Sequence, residues 1–162
     1  MAVSFRSEGV FTGTAGQGFV GGLRNNVIVG LEALVPRGGF AQYGLLELAF
    51  LPDDLDRLQL EVPYSSITGT AWPGALAGSL DEVRLGLPKE YAPAVLASLS
   101  SAVEGRIPSG VLRIVAAAHG LVGSSPRFFE KIARAAVELA LLDGDEVPDD
   151  RLVSLLRGII VN

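Results

Sequence analysis

The segment VRLGLPKEYAPAVLASLSSAVEG, residues 83–105, changes its hydrophobic period half-way along its length. Apolar and polar residues alternate over residues 83–87, which is typical of a half-buried strand. From residue 91 onward, the apolar side chains Tyr, Val, Leu and Val recur every four positions and share one helical face. Pro93 fits the first turn of such a helix, where a backbone N–H has no partner within the helix. The segment therefore predicts a short strand and then a helix over residues 91–104.

The residues before this segment have the patterns of strands. Residues 27–35 begin with β-branched side chains, residues 43–51 alternate imperfectly, and Pro-Arg-Gly-Gly at 36–39 separates them. Because proline and glycine in succession favour a tight turn, a β-hairpin is predicted. Residues 58–62 alternate cleanly and predict another strand. Residues 63–78 are rich in Ser, Thr, Gly and Pro and predict a long loop.

The residues after the first helix return to extended structure and then to helix. The apolar residues at 111–115 predict a strand. Ser-Ser-Pro at 124–126 offers an N-cap and a proline at the first helical position, and it opens a helix predicted over residues 126–142. A short helix is predicted over residues 149–157. Ile-Ile-Val at 159–161 predicts a final edge strand.

The composition favours a single domain over residues 1–162. Of these residues, 49% are hydrophobic and 19% are charged, which is enough apolar material for one core. Strands followed by two helices that alternate with strands predict an α+β two-layer sandwich. We expect both helices on one face of a mainly antiparallel sheet, because their apolar stripes need a shared surface. An additional N-terminal strand is predicted over residues 3–11.

The composition also argues against several classes of protein. The chain has no cysteine, so disulfides, zinc ribbons and iron–sulfur clusters are not expected. The longest apolar runs, such as residues 139–142, are far shorter than the roughly 20 residues that span a bilayer. With no secretory signal pattern at the N-terminus, we expect a cytoplasmic protein that does not bind a membrane. The net charge of −5 gives no overall attraction to phosphate backbones.

Cofactor, nucleotide and metal sites are not predicted either. The glycines at 16, 18, 21 and 22 precede a strand, whereas the dinucleotide fingerprint opens a helix. No Gly-x-x-x-x-Gly-Lys phosphate loop occurs, so GTPase activity is not expected. The single histidine, His119, has no second histidine or cysteine to share a metal with. The acidic run at 143–150 lacks the spacing of a calcium loop and is interpreted as a solvated linker.

Three motifs, read in order along the chain, resemble one known family. Gly-Gly-Phe-Ala-Gln-Tyr-Gly at 38–44, Pro-Lys-Glu-Tyr-Ala-Pro-Ala-Val at 88–95 and Gly-Ser-Ser-Pro-Arg-Phe-Phe at 123–129 are similar to segments of domain IV of bacterial elongation factor G. The resemblance covers residues 27–142 and treats 1–26 and 143–162 as extensions. It implies a ribosomal protein S5 domain 2-like fold, with a four-stranded sheet and two helices in β–β–α–β–α–β order.

The resemblance also implies which residues form a binding tip. In the family, a glycine-rich hairpin and the loop before the second helix reach into the ribosomal decoding centre. The matching positions, which are the candidate tip or binding residues here, are Gly38, Gly39, Gln42, Tyr43, His119 and Arg127. Phe40-Ala41 stands where the family usually has Arg-Gly, so a cation that faces phosphate is lost. Either His119 is the family's tip histidine in a shifted register, or His119-Gly120 forms a shortened turn, which we prefer.

These observations lead to a functional hypothesis with one alternative. The resemblance implies a non-catalytic module that binds the ribosome or structured RNA, since no paired catalytic groups are evident. RNA binding would require several cations on one face, with the candidates being Arg24, Arg37, Lys89, Arg113 and Arg127. The alternative is a self-associating protein, a homo-oligomer joined through the N-terminal strand and the 159–161 edge. Trp72, in the long loop, either anchors a partner or packs over the core.

Overall fold

The computed structural model describes residues 9–15, 26–54, 56–65, 69–107, 109–142 and 148–162. The strands are β1 (Gly9–Ala15), β2 (Val27–Arg37), β3 (Phe40–Leu51), β4 (Leu58–Tyr64), β5 (Val83–Leu85) and β6 (Gly110–Gly120). The helices are α1 (Ala92–Val103), α2 (Pro126–Leu141) and α3 (Asp149–Ile160), and a 3-10 turn at Lys89–Tyr91 precedes α1. Each predicted strand and helix between residues 27 and 142 is present, with small shifts at its ends.

The strands form one mixed sheet in the order β1–β4–β6–β3–β2. Neighbours are antiparallel except β4 and β6, which run parallel, so the chain crosses over between them through α1. The short β5 pairs with the last residues of β6. It lies on the same edge of β6 as β4, which pairs with the first residues of that strand. The predicted α+β class is confirmed. The sheet has more strands than the four that the resemblance implied, and the S5 domain 2-like fold itself stays a prediction.

Both long helices pack on the same face of the sheet, as predicted. α1 and α2 contact each other, while α1 also contacts β4 and α2 contacts β2 and β3. Alternate residues of the central strands point into this layer and are fully buried, among them Leu46, Leu48, Leu60, Val62 and Leu112. The helices contribute Val95, Leu99, Val103, Phe129, Ile132 and Ala136 to the same core.

The opposite face of the sheet is covered over part of its area by residues 69–82, which we call the strap. The strap buries Ala75 and Ala77 against Tyr43 and Ala118 of the sheet. Trp72 is half-buried and packs against this second cluster, so of its two interpretations the packing one is confirmed. The predicted long loop is therefore a packed layer rather than a free loop.

The C-terminal edge strand predicted at residues 159–161 is wrong. Helix α3 continues through these positions to Ile160, and the N–H of Val161 donates to the carbonyl of Arg157. Ile160 is buried in the main core, and Leu156 and Ile159 pack beside it. Leu156, Ile159 and Ile160 are spaced so that they share one face of a helix, and this face packs against α2. This packing outweighs the preference of Ile-Ile-Val for a strand.

Of the N-terminal strand predicted over residues 3–11, the structure describes residues 9–11, and these are extended. They belong to β1 (Gly9–Ala15), which pairs antiparallel with β4. Residues 1–8 and 16–25 lie outside the described residues, so the glycine-rich loop and Arg24 are not placed. The acidic residues at 143, 145 and 146 also lie outside them.

A glycine in β3 sets the distance between α2 and the sheet. A Cβ built on Gly44 would lie 2.4 Å from Cδ1 of Ile132 and 3.1 Å from the ring of Phe129. We expect Gly44→Ala to lower the free energy of unfolding by about 1–3 kcal/mol, because the two buried side chains have little room to move. Gly30→Ala in β2 is the control, since nothing lies within 4 Å of its added Cβ. Urea denaturation of both variants checks this, and equal losses would contradict it.

Candidate binding site at the tip of the domain

The hairpin between β2 and β3 forms one half of the tip. Arg37 pairs with Phe40, so Gly38 and Gly39 alone make the turn. Gly38 has a φ of 60°, in the left-handed region that favours glycine. A glycine with positive φ at the first turn position is typical of a type II′ hairpin, whose twist matches that of the two strands. Both glycines are exposed.

The loop between β6 and α2, residues 121–125, forms the other half and lies directly beside the hairpin. The N–H of Tyr43 donates to the carbonyl of Gly123 over 3.0 Å. The Ser124 hydroxyl donates to the carbonyl of Tyr43 over 2.6 Å and accepts from the N–H of Gly120 over 2.8 Å. A Cβ on Gly123 would lie 2.2 Å from the carbonyl oxygen of Ala41, so only glycine permits this approach. The two loops that the resemblance named as tip loops are therefore in contact.

Asp81, at the end of the strap, fixes the same loop from its other side. Its carboxylate accepts from the N–H of Gly123 over 2.7 Å and from the N–H of Val122 over 3.1 Å. The N–H of Leu121 donates to the backbone carbonyl of Glu82 over 3.0 Å. Three consecutive N–H groups are thus satisfied by the strap, and charge-assisted bonds of this kind are stronger than neutral ones.

The same loop leads directly into α2. The Ser125 side chain accepts from the N–H of Phe128 over 3.2 Å and Pro126 follows it, which confirms the predicted N-cap. The Tyr91 hydroxyl donates to the carbonyl of Ser124 over 3.1 Å, so the start of α1 is tied to the loop as well. Arg127 lies in the first turn of α2, and its side chain is exposed.

The surface of this ordered tip is apolar. Phe40 is 53% exposed, Leu121 48%, Val122 76% and Leu80, next to Asp81, 70%. We call these four residues the tip patch. Single exposed apolar residues are common, but several held together on well-ordered loops mark an interaction surface. None of the four was a candidate site residue from sequence, although Phe40 stood out because it departs from the family's arginine.

The candidate residues from sequence are only partly at this surface. Gly38, Gly39 and Arg127 are exposed, and Gln42 is half-buried and accepts from Nε of Arg37 over 3.1 Å. Tyr43 is fully buried in β3, and its hydroxyl donates to Oε1 of Glu32 over 2.8 Å. Burial, and then the Glu32 carboxylate, raise the pKa of Tyr43 far above its usual value. Tyr43 therefore holds the hairpin in place rather than contacting a partner.

His119 does not lie in a turn, so the preferred placement from sequence is wrong. It is the penultimate residue of β6, pairs with Arg84 of β5 and is only 6% exposed. Its Nδ1 lies 2.8 Å from the carbonyl oxygen of Gly86. Because a carbonyl oxygen only accepts, Nδ1 carries a proton and donates to it. The strand continues past residue 115 because β3 pairs with residues 116–118 and β5 pairs with residues 118–120. Burial lowers the pKa of His119 below its usual 6.5.

The cations proposed for RNA binding that the structure describes do not all lie at one place. Arg37 donates to the carbonyl of Val161 over 2.6 Å, and Lys89 lies 5.7 Å from the centre of the Tyr64 ring. Arg113 pairs with Glu61 over 2.8 Å, seven residues along β6 from Gly120, which is about 23 Å from the tip. Arg127 is exposed in the first turn of α2 and Arg37 is exposed beside the Gly38 turn, while Asp81, Glu82 and Glu90 lie at the same end.

A groove of about 760 Å³ lies between α1, α2 and α3, away from the tip. Small residues of α1, including Ala94, Ala97 and Ser101, line one wall. Its main charged groups pair with each other, since Arg106 contacts both carboxylate oxygens of Glu138. This pairing raises the pKa of Arg106 and lowers that of Glu138. Glu130, Lys131 and Arg134 also line the groove, and Lys131 donates to the carbonyl of Ile160 over 3.4 Å.

In the part of the chain that the structure describes, no cluster of three or more His, Asp or Glu side chains is placed to hold a metal ion. None of the described helices has the length and apolar character needed to cross a bilayer. Comparison with protein-family models found no match to this chain, and comparison with curated proteins found none either. The likeness to elongation factor G domain IV thus continues to rest on the three motifs.

The bonds that Asp81 accepts should decide how firmly the 121–123 turn is held. We expect Asp81→Ala to lower the free energy of unfolding by about 1–3 kcal/mol, because two N–H groups lose their acceptor. Hydrogen exchange at the amides of Val122 and Gly123 should also accelerate. Glu82→Ala is the matched control, because among the described residues its exposed carboxylate pairs only with Arg84. If Asp81→Ala leaves both amides as protected as in the parent, the turn is held by something else.

The lowered pKa of His119 predicts how stability depends on pH. Below pH 6.5 the imidazole of His119 binds a proton in the unfolded chain but stays neutral in the folded chain. The free energy of unfolding should therefore fall as the pH drops from 6.5 towards the pKa of His119 in the folded chain. Above pH 6.5 this contribution should be constant. The nearby carboxylates of Glu90 and Asp81 raise the pKa of His119 and so oppose the effect of burial, whereas the charge of Arg84 lowers this pKa further. Because His119 is the sole histidine, His119→Gln should flatten the curve of unfolding free energy between about pH 5.5 and 7.5. An unchanged curve would contradict the assignment.

Proposed function

We propose that this chain is a non-catalytic module that binds the ribosome or structured RNA through its tip, in the cytoplasm. The observation that carries the proposal is the contact between β3 of the β2–β3 hairpin and the 121–125 loop. These are the two loops that the resemblance to elongation factor G domain IV assigns to target binding, and hydrogen bonds from Tyr43 and Ser124 join them.

The physical support for binding at the tip is preorganisation. Asp81 and Ser124 hold the backbone of the loop in place, so exposed Val122 and Leu121 do not have to be ordered when a target arrives. Loops that are already ordered lose less conformational entropy on binding. The ring of Phe40 is available to stack on an unpaired base, which is how aromatic side chains commonly contact structured RNA.

The chemistry of the tip also supports a non-catalytic role. The Ser124 hydroxyl is occupied by the carbonyl of Tyr43 and the N–H of Gly120, so it is not poised as a nucleophile. His119 is buried against Gly86 and does not reach Ser124 in any hydrogen bond of the described residues. With Phe40, Leu121 and Val122 exposed, stacking and apolar contacts are the main means of binding that we propose, beside the exposed Arg127.

Co-sedimentation with purified bacterial 70S ribosomes tests this proposal. We expect binding by the parent chain, and a loss of at least about tenfold in affinity for Val122→Asp and for Phe40→Ser, since each removes a central apolar contact. Val153→Asp on α3 is the control, because Val153 is 52% exposed but lies outside the tip. Affinity should change little between about 50 and 200 mM salt, in contrast to binding by phosphate contacts. Absence of binding, or equal losses in the tip and control variants, would overturn it.

Self-association is the second candidate function, and one observation favours it. Strand β2 ends the sheet, and no described residue pairs with its outer edge. The route expected from sequence, through a strand at 159–161, is not open because those residues belong to the end of α3.

A further inference from the structure

The outer edge of β2 has the character of a pairing surface. β2 is 11 residues long, and its inner edge pairs with β3 along its whole length. On the outer side its backbone N–H and C=O groups have no strand partner among the described residues. Unpaired backbone groups on a long edge strand are a template for another strand.

Over residues 27–35, β2 lacks the features that usually protect an edge. It has no lysine, and its proline and arginine are its last two residues, with Arg37 donating to the carbonyl of Val161. Its carboxylate, Glu32, is held on the face of the sheet by the Tyr43 hydroxyl at 2.8 Å and the N–H of Leu76 at 2.7 Å. Ile28 is 71% exposed. Natural edge strands that stay single normally carry charges, bulges or a covering element.

The other edge of the sheet is a poorer candidate. β1 has seven residues, and two of them, Gly9 and Gly13, are glycines. Glycine weakens a strand because its backbone loses more freedom on ordering. A partner strand would therefore gain more from β2 than from β1.

We propose that β2 pairs antiparallel with β2 of a second copy of this chain, about a two-fold axis at Leu31. Leu31 then faces its own copy, Val29 faces Ala33, and Ile28 faces Leu34. This register keeps the helix layers of both copies on the same side of a continuous sheet, because side chains alternate along a strand. A register centred on Glu32 would place two carboxylates opposite each other, which is destabilising.

The pairing is large enough for a specific interface. Residues 27–35 of each copy overlap, and an antiparallel pair exchanges two hydrogen bonds at every second position, giving about nine bonds. Stable interfaces have roughly ten direct hydrogen bonds, with wide scatter. The exposed side chain of Ile28 gains apolar contact with Leu34, which is half-buried in each copy.

The arrangement has a consequence for the tips. Because the two β2 strands run in opposite directions, the two Gly38 turns lie at opposite ends of the joined strands. Each turn lies seven residues from the axis, so they are on the order of 46 Å apart. Both tip patches stay exposed, and the dimer is a bivalent module that can contact two sites of one target. The dimer itself does not depend on the proposed function of the tip.

Light scattering between 1 and 100 µM, with no ribosome present, tests the dimer. We expect a mass that rises with concentration towards twice the 16.9 kDa of one chain. The double variant Ile28→Lys/Gly30→Lys should remain monomeric, because it places four ammonium groups at the joined edges and an added side chain at Gly30 meets nothing within 4 Å. The double variant Val153→Lys/Gly158→Lys on α3 carries the same charge change and should still dimerise. Circular dichroism verifies that both variants fold.

Cross-linking tests the register, since the chain has no cysteine of its own. In the proposed pairing the two Gly30 positions are diagonal neighbours about 7–8 Å apart. Gly30→Cys should therefore give a covalent dimer with a short bis-maleimide, whereas Gly158→Cys, in equally open space on α3, should not. A parent chain that stays monomeric at 100 µM overturns the proposal. A dimer that Gly30→Cys fails to cross-link also overturns it, because another surface would then join the copies.

Discussion

Pairing along both edges of β6 is the constraint on which the rest of the structure depends. β3 occupies one edge, and β4 and then β5 occupy the other. Gly86, which follows β5, extends the pairing with β6 towards β4, because its N–H donates to the carbonyl of Ala117. Because β4 is parallel to β6, the chain must return over the sheet, and α1 makes that return while burying Val95 and Leu99. α2, which follows β6 directly, is thereby placed beside α1.

The same pairing creates the tip. β5 holds β6 in extended form up to Gly120, so the chain turns only at residues 121–123, close to the β2–β3 hairpin. The strap that precedes β5 brings Asp81 to that turn. Rigidity at the tip therefore comes from sheet pairing together with the bonds that Asp81 and Ser124 make to the loop backbone and to β3. An apolar surface on rigid loops suits contacts that need shape and stacking more than charge.

The two proposed surfaces use different parts of the hairpin. The tip uses the turn and the side chains beyond it, while the edge uses the backbone of β2 before the turn. Glu32 links them, because its carboxylate accepts from Tyr43 of the hairpin and from Leu76 of the strap. With this carboxylate engaged internally, residues 27–35 of β2 carry no free charge, and the strap is held against the sheet beside the tip.

Local patterns in the sequence determined most of the elements. The change of period in residues 83–105, the Ser125 cap and the Gly38–Gly39 turn each depend on residues close together in the chain, so they could be predicted. The three motifs identified two loops that the structure brings into contact. The α+β class followed from the order of these elements.

Only the tertiary structure decided the points that depend on distant partners. His119 lies in a strand because β5, more than 30 residues earlier in the chain, pairs with it. The hydrophobic pattern of residues 116–120 alone does not indicate this partner. Residues 159–160 are helical because α2 offers them an apolar surface, although Ile-Ile-Val alone favours a strand. The tip patch was missed for the same reason: exposure of Val122 follows from where Asp81 holds its backbone. The local hydrophobic period determines whether a segment forms a helix or a strand. Residues far away in the chain determine what that segment packs against and which of its side chains stay exposed.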